Sequence, residues 1–99
     1  MRRSPVPRAI FGDEVLADSS DTKVVEGNHY FPPESVRSEL LVDSPTRTVC
    51  FWKGKASYRS LRTANGLVED IAWVYERPWP LARGIADHVA FSPLVRIER

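Results

Sequence analysis

The sequence predicts a mainly β fold in one small domain, with about seven short strands and two short helices. Eight prolines are spread along the 99 residues and leave little room for long helices. Short β-branched and aromatic stretches recur between the prolines, and tight-turn signals at Gly12-Asp13 and Asn65-Gly66 join two pairs of them. Residues 50–58, with the sequence CFWKGKASY, form the segment that organises the predicted β structure.

The chain length favours a single domain spanning residues 1–99. A chain of this size can bury roughly two-thirds of its unfolded surface in one core, so it needs no disulfide or metal to fold. Residues 1–5 contain two arginines and no apolar run, and we expect them to be flexible.

Four extended stretches are predicted in the first third of the chain. Gly12-Asp13 suits a hairpin turn between the first two stretches, and the prolines that end the fourth disfavour a helix before them. The stretches cover residues 6–11, 14–18, 22–26 and 29–33. A short helix is predicted over 34–41, because proline and an acid suit its first turn and Val36 and Leu40 lie on one face.

The rest of the chain predicts a longer β segment followed by a second helix. Gly54 marks a bend or bulge between two strands, and Asn65-Gly66 is the preferred pair for a two-residue type I′ turn. Apolar residues recur every four positions over 81–89, which predicts a helix at 81–88. The strands are predicted at 47–52, 55–63, 67–76, 89–91 and 94–98.

The predicted turn at Asn65-Gly66 also fixes which residues face each other across the central hairpin. The predicted pairs are Arg62–Glu69, Ser60–Ile71, Tyr58–Trp73 and Ala56–Tyr75. Opposite charges in the first pair and aromatic rings in the third favour this register. One face of the hairpin therefore carries Tyr58, Trp73 and Tyr75, which form either part of the core or the wall of a ligand pocket.

Charge and composition exclude several classes of protein. The net charge of +1 is too small for nonspecific binding to a phosphate backbone, so we expect no nucleic-acid partner. The single cysteine, Cys50, excludes an internal disulfide and suits a reducing compartment. No apolar run has the length of a signal peptide or a membrane helix, which predicts a cytoplasmic location and no membrane partner.

A set of short motifs is spread along the chain: Ala17-Asp18-Ser19, Tyr30-Phe31-Pro32, Cys50, Trp52-Lys53-Gly54, Ala56, Tyr58, Ala72-Trp73, Tyr75, Pro78, Ile85 and Ala90-Phe91. Together they resemble the bacterial domain of unknown function 427 family over residues 6–96. The resemblance implies a compact, mainly β architecture of several short, coiled antiparallel sheets, of β-tent or sandwich-like form, with one or two short helices. It implies no established activity, although the family carries a label that denotes nucleotidyl transfer.

The chain departs from the family pattern at two positions. Phe51 stands where members usually have proline, which weakens any role that depends on the shape of the loop around Cys50. Ser35 stands where an acidic residue is common, so an acidic group near Val36 is not expected.

The candidate ligand-binding residues come from the segments that match the family and from the aromatic face of the hairpin. They are Glu26, Tyr30, Lys53, Tyr58, Trp73 and Tyr75. Lys53 precedes Gly54, and a cation beside an accessible backbone N–H suits a phosphate or a carboxylate. The alternative for Lys53 is an ordinary solvated turn lysine. Cys50 is predicted to be an inert interior residue, as most free cysteines are.

The acidic residues and histidines form no recognisable metal or cofactor motif. A structural zinc site takes four Cys or His ligands, whereas this chain has one cysteine and two histidines. Glu69 and Asp70 are adjacent on a predicted strand and point to opposite faces, whereas two-metal nucleotidyl transfer needs converging carboxylates. We therefore predict no metal site and no cofactor.

Three functions follow from these observations. The leading hypothesis is binding of a small anionic or nucleotide-like molecule in an aromatic-lined cleft. The first alternative is an enzyme that uses Glu26 as a general base and Lys53 as a contact for an oxyanion or phosphate. The second is a ligand-free structural domain that forms a homo-oligomer through an exposed apolar patch around Trp79 and Leu81.

Overall fold

The computed structural model describes residues 7–98, which contain nine strands in three antiparallel sheets. The strands are β1 (Arg8–Phe11), β2 (Glu14–Asp18), β3 (Lys23–Val25), β4 (Asn28–Tyr30), β5 (Leu41–Cys50), β6 (Gly54–Thr63), β7 (Gly66–Val74), β8 (Val89–Phe91) and β9 (Arg96–Glu98). The sheet orders are β2-β1-β9, β3-β4 and β5-β6-β7-β8. The predicted mainly β architecture of several short antiparallel sheets is confirmed, and the predicted flexibility of residues 1–5 concerns a segment outside the described residues.

The smaller sheets form where the sequence predicts short extended stretches. β1 and β2 form a hairpin around Gly12, whose φ of 60° is the left-handed conformation that this turn needs. β9 pairs with the other side of β1, so the two ends of the described chain lie side by side. β3 and β4 form a second hairpin with a two-residue turn.

The four-stranded sheet begins earlier in the chain than predicted. Its first strand starts at Leu41 rather than at residue 47, and its register shifts between Asp43 and Arg47. Pro45 lies inside this irregular stretch. A proline has no N–H to donate to a sheet, so it is tolerated here because β5 is an edge strand with a bulge.

The predicted register of the β6–β7 hairpin is confirmed at one end and wrong at the other. Tyr58 faces Trp73, as predicted, but Arg62 faces Leu67 rather than Glu69. Thr63 pairs with Gly66, so the two turn residues are 64 and 65, one position earlier than predicted. The Thr63 hydroxyl supports this turn by donating to the carbonyl of Gly66 (2.7 Å). The register then shifts between Arg59 and Leu61, which restores the predicted pairing farther from the turn.

Neither predicted helix is an α-helix. The segment 34–41 contains two single 3₁₀ turns, Pro33–Ser35 and Ser38–Leu40, because the chain between them joins a sheet. Val36 forms a bridge with Ala17, and the N–H of Arg37 donates to the carbonyl of Leu16 (2.8 Å).

The second predicted helix is replaced by a 3₁₀ helix at Pro80–Ile85. It is interrupted at Ala82, whose φ and ψ of −108° and 16° are not helical. The described residues contain no helix long and apolar enough to cross a membrane.

Two clusters of buried side chains pack around the four-stranded sheet. The first contains Leu16, Phe31, Leu61 and Ile71, which are each at most 2% exposed, and joins this sheet to the β1–β2 hairpin. The second is more aromatic and joins the sheet to the β3–β4 hairpin and the 3₁₀ helix Pro80–Ile85; its buried members are Tyr30, Ala56, Tyr75, Ala82, Ile85 and Ala90. The candidate site lies at the edge of this second cluster.

Candidate functional site

Glu26 lies at the tip of the β3–β4 hairpin, where the backbone is constrained. Val25 pairs with Asn28, and the two residues between them, Glu26 and Gly27, have φ values of 54° and 82°. Positive φ at both central positions is the pattern of a type I′ turn, which Asn and Gly adopt readily and Glu does not. A glutamate in this conformation is strained, which suggests that its side chain has a role that outweighs the local cost.

The carboxylate of Glu26 contacts the ammonium of Lys53, which is buried. Lys53 ends the tight turn between β5 and β6, and its side chain is 6% exposed, whereas that of Glu26 is 53% exposed. The indole Nε1–H of Trp52 also donates to the Glu26 carboxylate (3.2 Å). Lys53 is therefore not the solvated turn lysine of the alternative interpretation, and Glu26 is its counter-ion at the surface.

Two aromatic rings complete the surroundings of the Lys53 ammonium. Its Nζ lies 5.0 Å from the centroid of the Trp52 ring and 5.7 Å from that of Tyr75. Both distances are within the range of cation–π attraction, which partly replaces the hydration that the buried charge has lost. Trp52 belongs to the motifs that resemble the family but was not predicted as a site residue, although its position next to Lys53 in the turn is a signal that could have identified it.

The charged pair shifts the pKa values of both partners toward the ionised forms. The hydrogen bonds that Glu26 accepts from Lys53 and Trp52 lower the pKa of its carboxyl group. Burial works to lower the pKa of Lys53, but the contacts with Glu26, Tyr75 and Cys50 outweigh it and raise the pKa. Both groups are therefore charged at neutral pH.

Cys50 faces the same ammonium. It packs against the aromatic cluster, as an interior residue would, but it is only half-buried. The prediction of a fully interior cysteine is therefore wrong. The backbone N–H groups of Trp52 and Lys53, together with the Lys53 ammonium, favour the thiolate and lower the pKa of Cys50. The sequence did not predict this contact, because it depends on the tight turn that joins β5 and β6.

Tyr30 and Tyr75 form the floor of the site. They are 1% and 5% exposed, and their ring centroids lie 6.4 Å apart. Burial raises the pKa of Tyr75 to about 12 and also raises the pKa of Tyr30. Both phenols are thus neutral at physiological pH and can donate or accept hydrogen bonds.

Tyr58 and Trp73 extend the aromatic face toward the surface. Their ring centroids lie 6.2 Å apart, both residues are half-buried, and the Trp73 indole donates to the Tyr30 hydroxyl (3.2 Å). The Tyr58 hydroxyl lies 3.2 Å from that of Thr48. The aromatic face of the hairpin is therefore core at Tyr75 and partly open at Tyr58 and Trp73.

The structure thus brings all six predicted ligand-binding residues into one continuous chain of contacts. Along the chain of contacts the order is Tyr58, Trp73, Tyr30, Tyr75, Lys53 and Glu26, from the partly open aromatic pair to the exposed carboxylate. We refer to Glu26, Cys50, Trp52, Lys53 and the two buried tyrosines as the Lys53 site. Within residues 7–98, no group of three or more His, Cys, Asp or Glu side chains is placed to hold a metal ion.

Comparison with known proteins identifies the family of this chain. A family model described as "Domain of unknown function (DUF427)" matches residues 3–99. The chain belongs to the DUF427 family. The match confirms the resemblance seen in the sequence, extends slightly beyond both ends of the resembling region, and includes every residue of the Lys53 site. No curated protein matches this DUF427 chain.

Proposed function

We propose that this DUF427 domain binds a small anionic molecule, such as a carboxylate or a phosphate ester, at the Lys53 site. The observation that supports this most directly is the buried ammonium of Lys53, whose counter-ion is a half-exposed carboxylate on a strained turn. Burying a lysine is costly, and folding alone would be served as well by an apolar residue of similar size. A cation retained at such a position has a use in recognition.

In this proposal, the ligand takes the place of the Glu26 carboxylate. An ammonium has three N–H groups, and Glu26 and the Cys50 sulfur interact with it in the free protein. Since more than half of the Glu26 side chain is in contact with water, its carboxylate can turn outward with little loss of hydration. The anion then gains a charge-assisted hydrogen bond in a poorly hydrated position, beside the rings of Trp52 and Tyr75.

The test is binding of simple anions to the protein and to three variants. Phosphate, sulfate and citrate are titrated while amide resonances are followed by NMR and unfolding by thermal shift. We expect Lys53→Met to abolish the response, and Glu26→Gln to strengthen binding because the competing carboxylate is gone. Lys23→Met is the matched control, since Lys23 is an exposed lysine on β3, in the hairpin that carries Glu26, and is not part of the Lys53 site.

Three results would contradict the proposal. One is the lack of any response to the panel, another is equal weakening by Lys53→Met and Lys23→Met, and the third is weaker binding to Glu26→Gln.

The geometry favours binding over the enzymatic alternative that uses Glu26 as a general base. A base works best when its pKa lies near the working pH. The contacts with Lys53 and Trp52 move the pKa of Glu26 in the opposite direction. Glu26 in this state is a counter-ion and a poor proton acceptor.

A second candidate function, self-association, is favoured by large apolar side chains that are exposed near the β5–β6 turn. Phe51 and Leu81 are 89% and 87% exposed, and Trp79 is 45% exposed. We propose a second copy of the chain as the partner, because a net charge of +1 leaves little repulsion between copies. Light scattering at rising concentration should show a dimer that Phe51→Ser and Leu81→Ser abolish, and a strict monomer at millimolar concentration would exclude it.

A further inference from the structure

We infer a second ligand site, distinct from the Lys53 site, in an open groove that suits a nucleoside diphosphate. The groove has a volume of about 720 Å³ and is lined by Arg47, Lys55, Ser57, Glu76, Arg77, Trp79 and Asp87. We call it the basic groove. Its volume falls within the roughly 300–1,000 Å³ that small-molecule sites occupy.

The basic groove lies on the opposite face of the four-stranded sheet from the Lys53 site. Side chains alternate between the two faces along a strand, and paired residues share a face. Arg47 pairs with Ser57 and contributes to the groove, whereas the adjacent pair Thr48–Ala56 points toward the aromatic cluster. A molecule in the groove therefore makes no contact with the Lys53 ammonium.

The groove has an excess of positive charge. Among the described residues, Arg47, Lys55 and Arg77 form no ion pair, so all three charges are available to a ligand. Two carboxylates, Glu76 and Asp87, also line the groove, so its cations exceed its anions by one. Glu76 accepts a hydrogen bond from Arg59 (3.2 Å), which also pairs with Asp43 (3.4 Å). Arg47 is partly fixed by donating to the backbone carbonyl of Ser44 (2.7 Å). Cations that lack a protein counter-ion and share one concave surface are suited to a polyphosphate.

Trp79 supplies a ring surface that is fixed before any ligand arrives. The indole packs directly on Gly54, where an added Cβ would lie 3.2 Å from its Cδ1 atom. The N–H of Trp79 donates to the carbonyl of Lys53 (3.0 Å), and prolines on both sides restrict the backbone. With 45% of its surface exposed, Trp79 can stack on an aromatic ring at little entropic cost.

These features together indicate the chemical class of the ligand. The three cations suit two linked phosphates, the Trp79 ring suits one base, and the Asp87 carboxylate can accept hydrogen bonds from ribose hydroxyls. A nucleic-acid strand would need several aromatic platforms in succession, whereas Trp79 is the one aromatic residue lining the groove. A single nucleotide is therefore favoured over a strand.

The experiment is calorimetric titration of ADP, pyrophosphate and adenosine into the protein and its variants at constant ionic strength. We expect ADP to bind more tightly than either fragment, since it uses both the cations and the indole. Lys55→Glu and Arg77→Glu should each weaken ADP binding at least about tenfold. Arg62→Glu is the matched control, because Arg62 is exposed on the same strand as Lys55 and outside the groove, and it should change the affinity less than about twofold.

The design separates this site from the one under Proposed function. Lys53→Met should leave ADP binding unchanged while it abolishes the binding of simple anions. The inference is overturned if ADP does not bind at millimolar concentration, if pyrophosphate binds as tightly as ADP, or if Arg62→Glu weakens binding as much as the groove variants. Tighter binding of a six-nucleotide single strand than of ADP at the same salt concentration would also overturn it.

Discussion

Lys53 shows how a single buried charge organises the groups around it. Its ammonium has an exposed carboxylate on one side, two aromatic rings within 5.7 Å, and the Cys50 thiol beside it. The lysine and Glu26 were both predicted as site residues from the sequence, since they lie in segments that match the family. The environment of Cys50 could not be predicted, because it depends on side chains that meet only after the turn between β5 and β6 has formed.

Cys50 should react as a thiolate at lower pH than an ordinary cysteine. The backbone N–H groups of Trp52 and Lys53 and the Lys53 ammonium stabilise its ionised form and lower its pKa in the folded state. The rate of alkylation by iodoacetamide against pH measures this directly, because Cys50 is the single thiol in the chain. We expect the inflection of the rate to lie below that of the urea-unfolded protein.

The Lys53→Met variant is the control for the electrostatic part of this effect. Removal of the ammonium should move the inflection upward, although the backbone N–H groups still hold it below the unfolded value. Identical profiles for the folded and unfolded proteins would contradict the assignment.

At the scale of elements, some features of the central hairpin follow from its own residues, whereas others depend on contacts with a neighbouring strand. The aromatic pair Tyr58–Trp73 was predicted correctly although the turn was placed one residue too late, because the register shift between Arg59 and Leu61 offsets that error. The bulge near Asp70 was missed, since it forms through contacts with a third strand. Asp70 has a φ of 55°, and its carboxylate accepts hydrogen bonds from Ser44 (2.5 Å) and Thr46 (2.8 Å) of β5.

Substitution of Asp70 should destabilise the sheet although the residue is near its surface. Asp70→Ala removes both hydrogen bonds to β5 and leaves the proton of the buried Ser44 hydroxyl without its acceptor, which should cost about 2 kcal/mol. The adjacent Glu69 is exposed, so Glu69→Ala should change the free energy of unfolding by less than about 0.5 kcal/mol. Urea unfolding measures both variants, and equal effects would show that the contact to β5 does not stabilise the fold.

The same reasoning explains the helices that the sequence predicted and the structure lacks. Val36 and Leu40 have helical spacing, but Val36 forms a bridge with Ala17 and the segment splits into two 3₁₀ turns. Spacing shows which residues share a face in a helix and carries no information about a competing strand elsewhere in the chain.

On the scale of the whole molecule, one sheet separates two differently built interiors. The first cluster is largely aliphatic and contains one pair of phenylalanines. The ring centroids of Phe31 and Phe91 lie 5.8 Å apart. The second contains the phenols of Tyr30 and Tyr75 beside a buried lysine. Proline spacing, short β-branched and aromatic stretches and turn signals predicted the mainly β class, whereas this division depends on which hairpins pack on which face of the sheet.

The phenolic cluster should make the whole fold sensitive to alkaline pH. The pKa of Tyr75 is raised from about 10 in the unfolded chain to about 12 in the folded protein, and that of Tyr30 is raised as well. Because the folded pKa is the higher one, the stabilisation is complete below pH 10 and is lost as the pH rises toward 12. Ionisation of Tyr75 should lower the free energy of unfolding by about 2–3 kcal/mol over this range of pH.

Urea unfolding at several pH values between 9 and 12 checks this expectation. Tyr75→Phe keeps the ring and removes the ionisable hydroxyl, so the stability of the variant should fall less steeply with pH. A curve with the same slope as that of the unsubstituted protein would contradict the role given to Tyr75.

The stacking of Trp79 on Gly54 has a consequence for how the chain tolerates insertions. Lys53 belongs to the Lys53 site, whereas Gly54 supports the indole of the basic groove, although the two residues are neighbours in the chain. One added residue between them would displace the ammonium from its rings and place a side chain under the tryptophan. Both sites therefore depend on the length of a single turn, and a change in that length would disrupt them together.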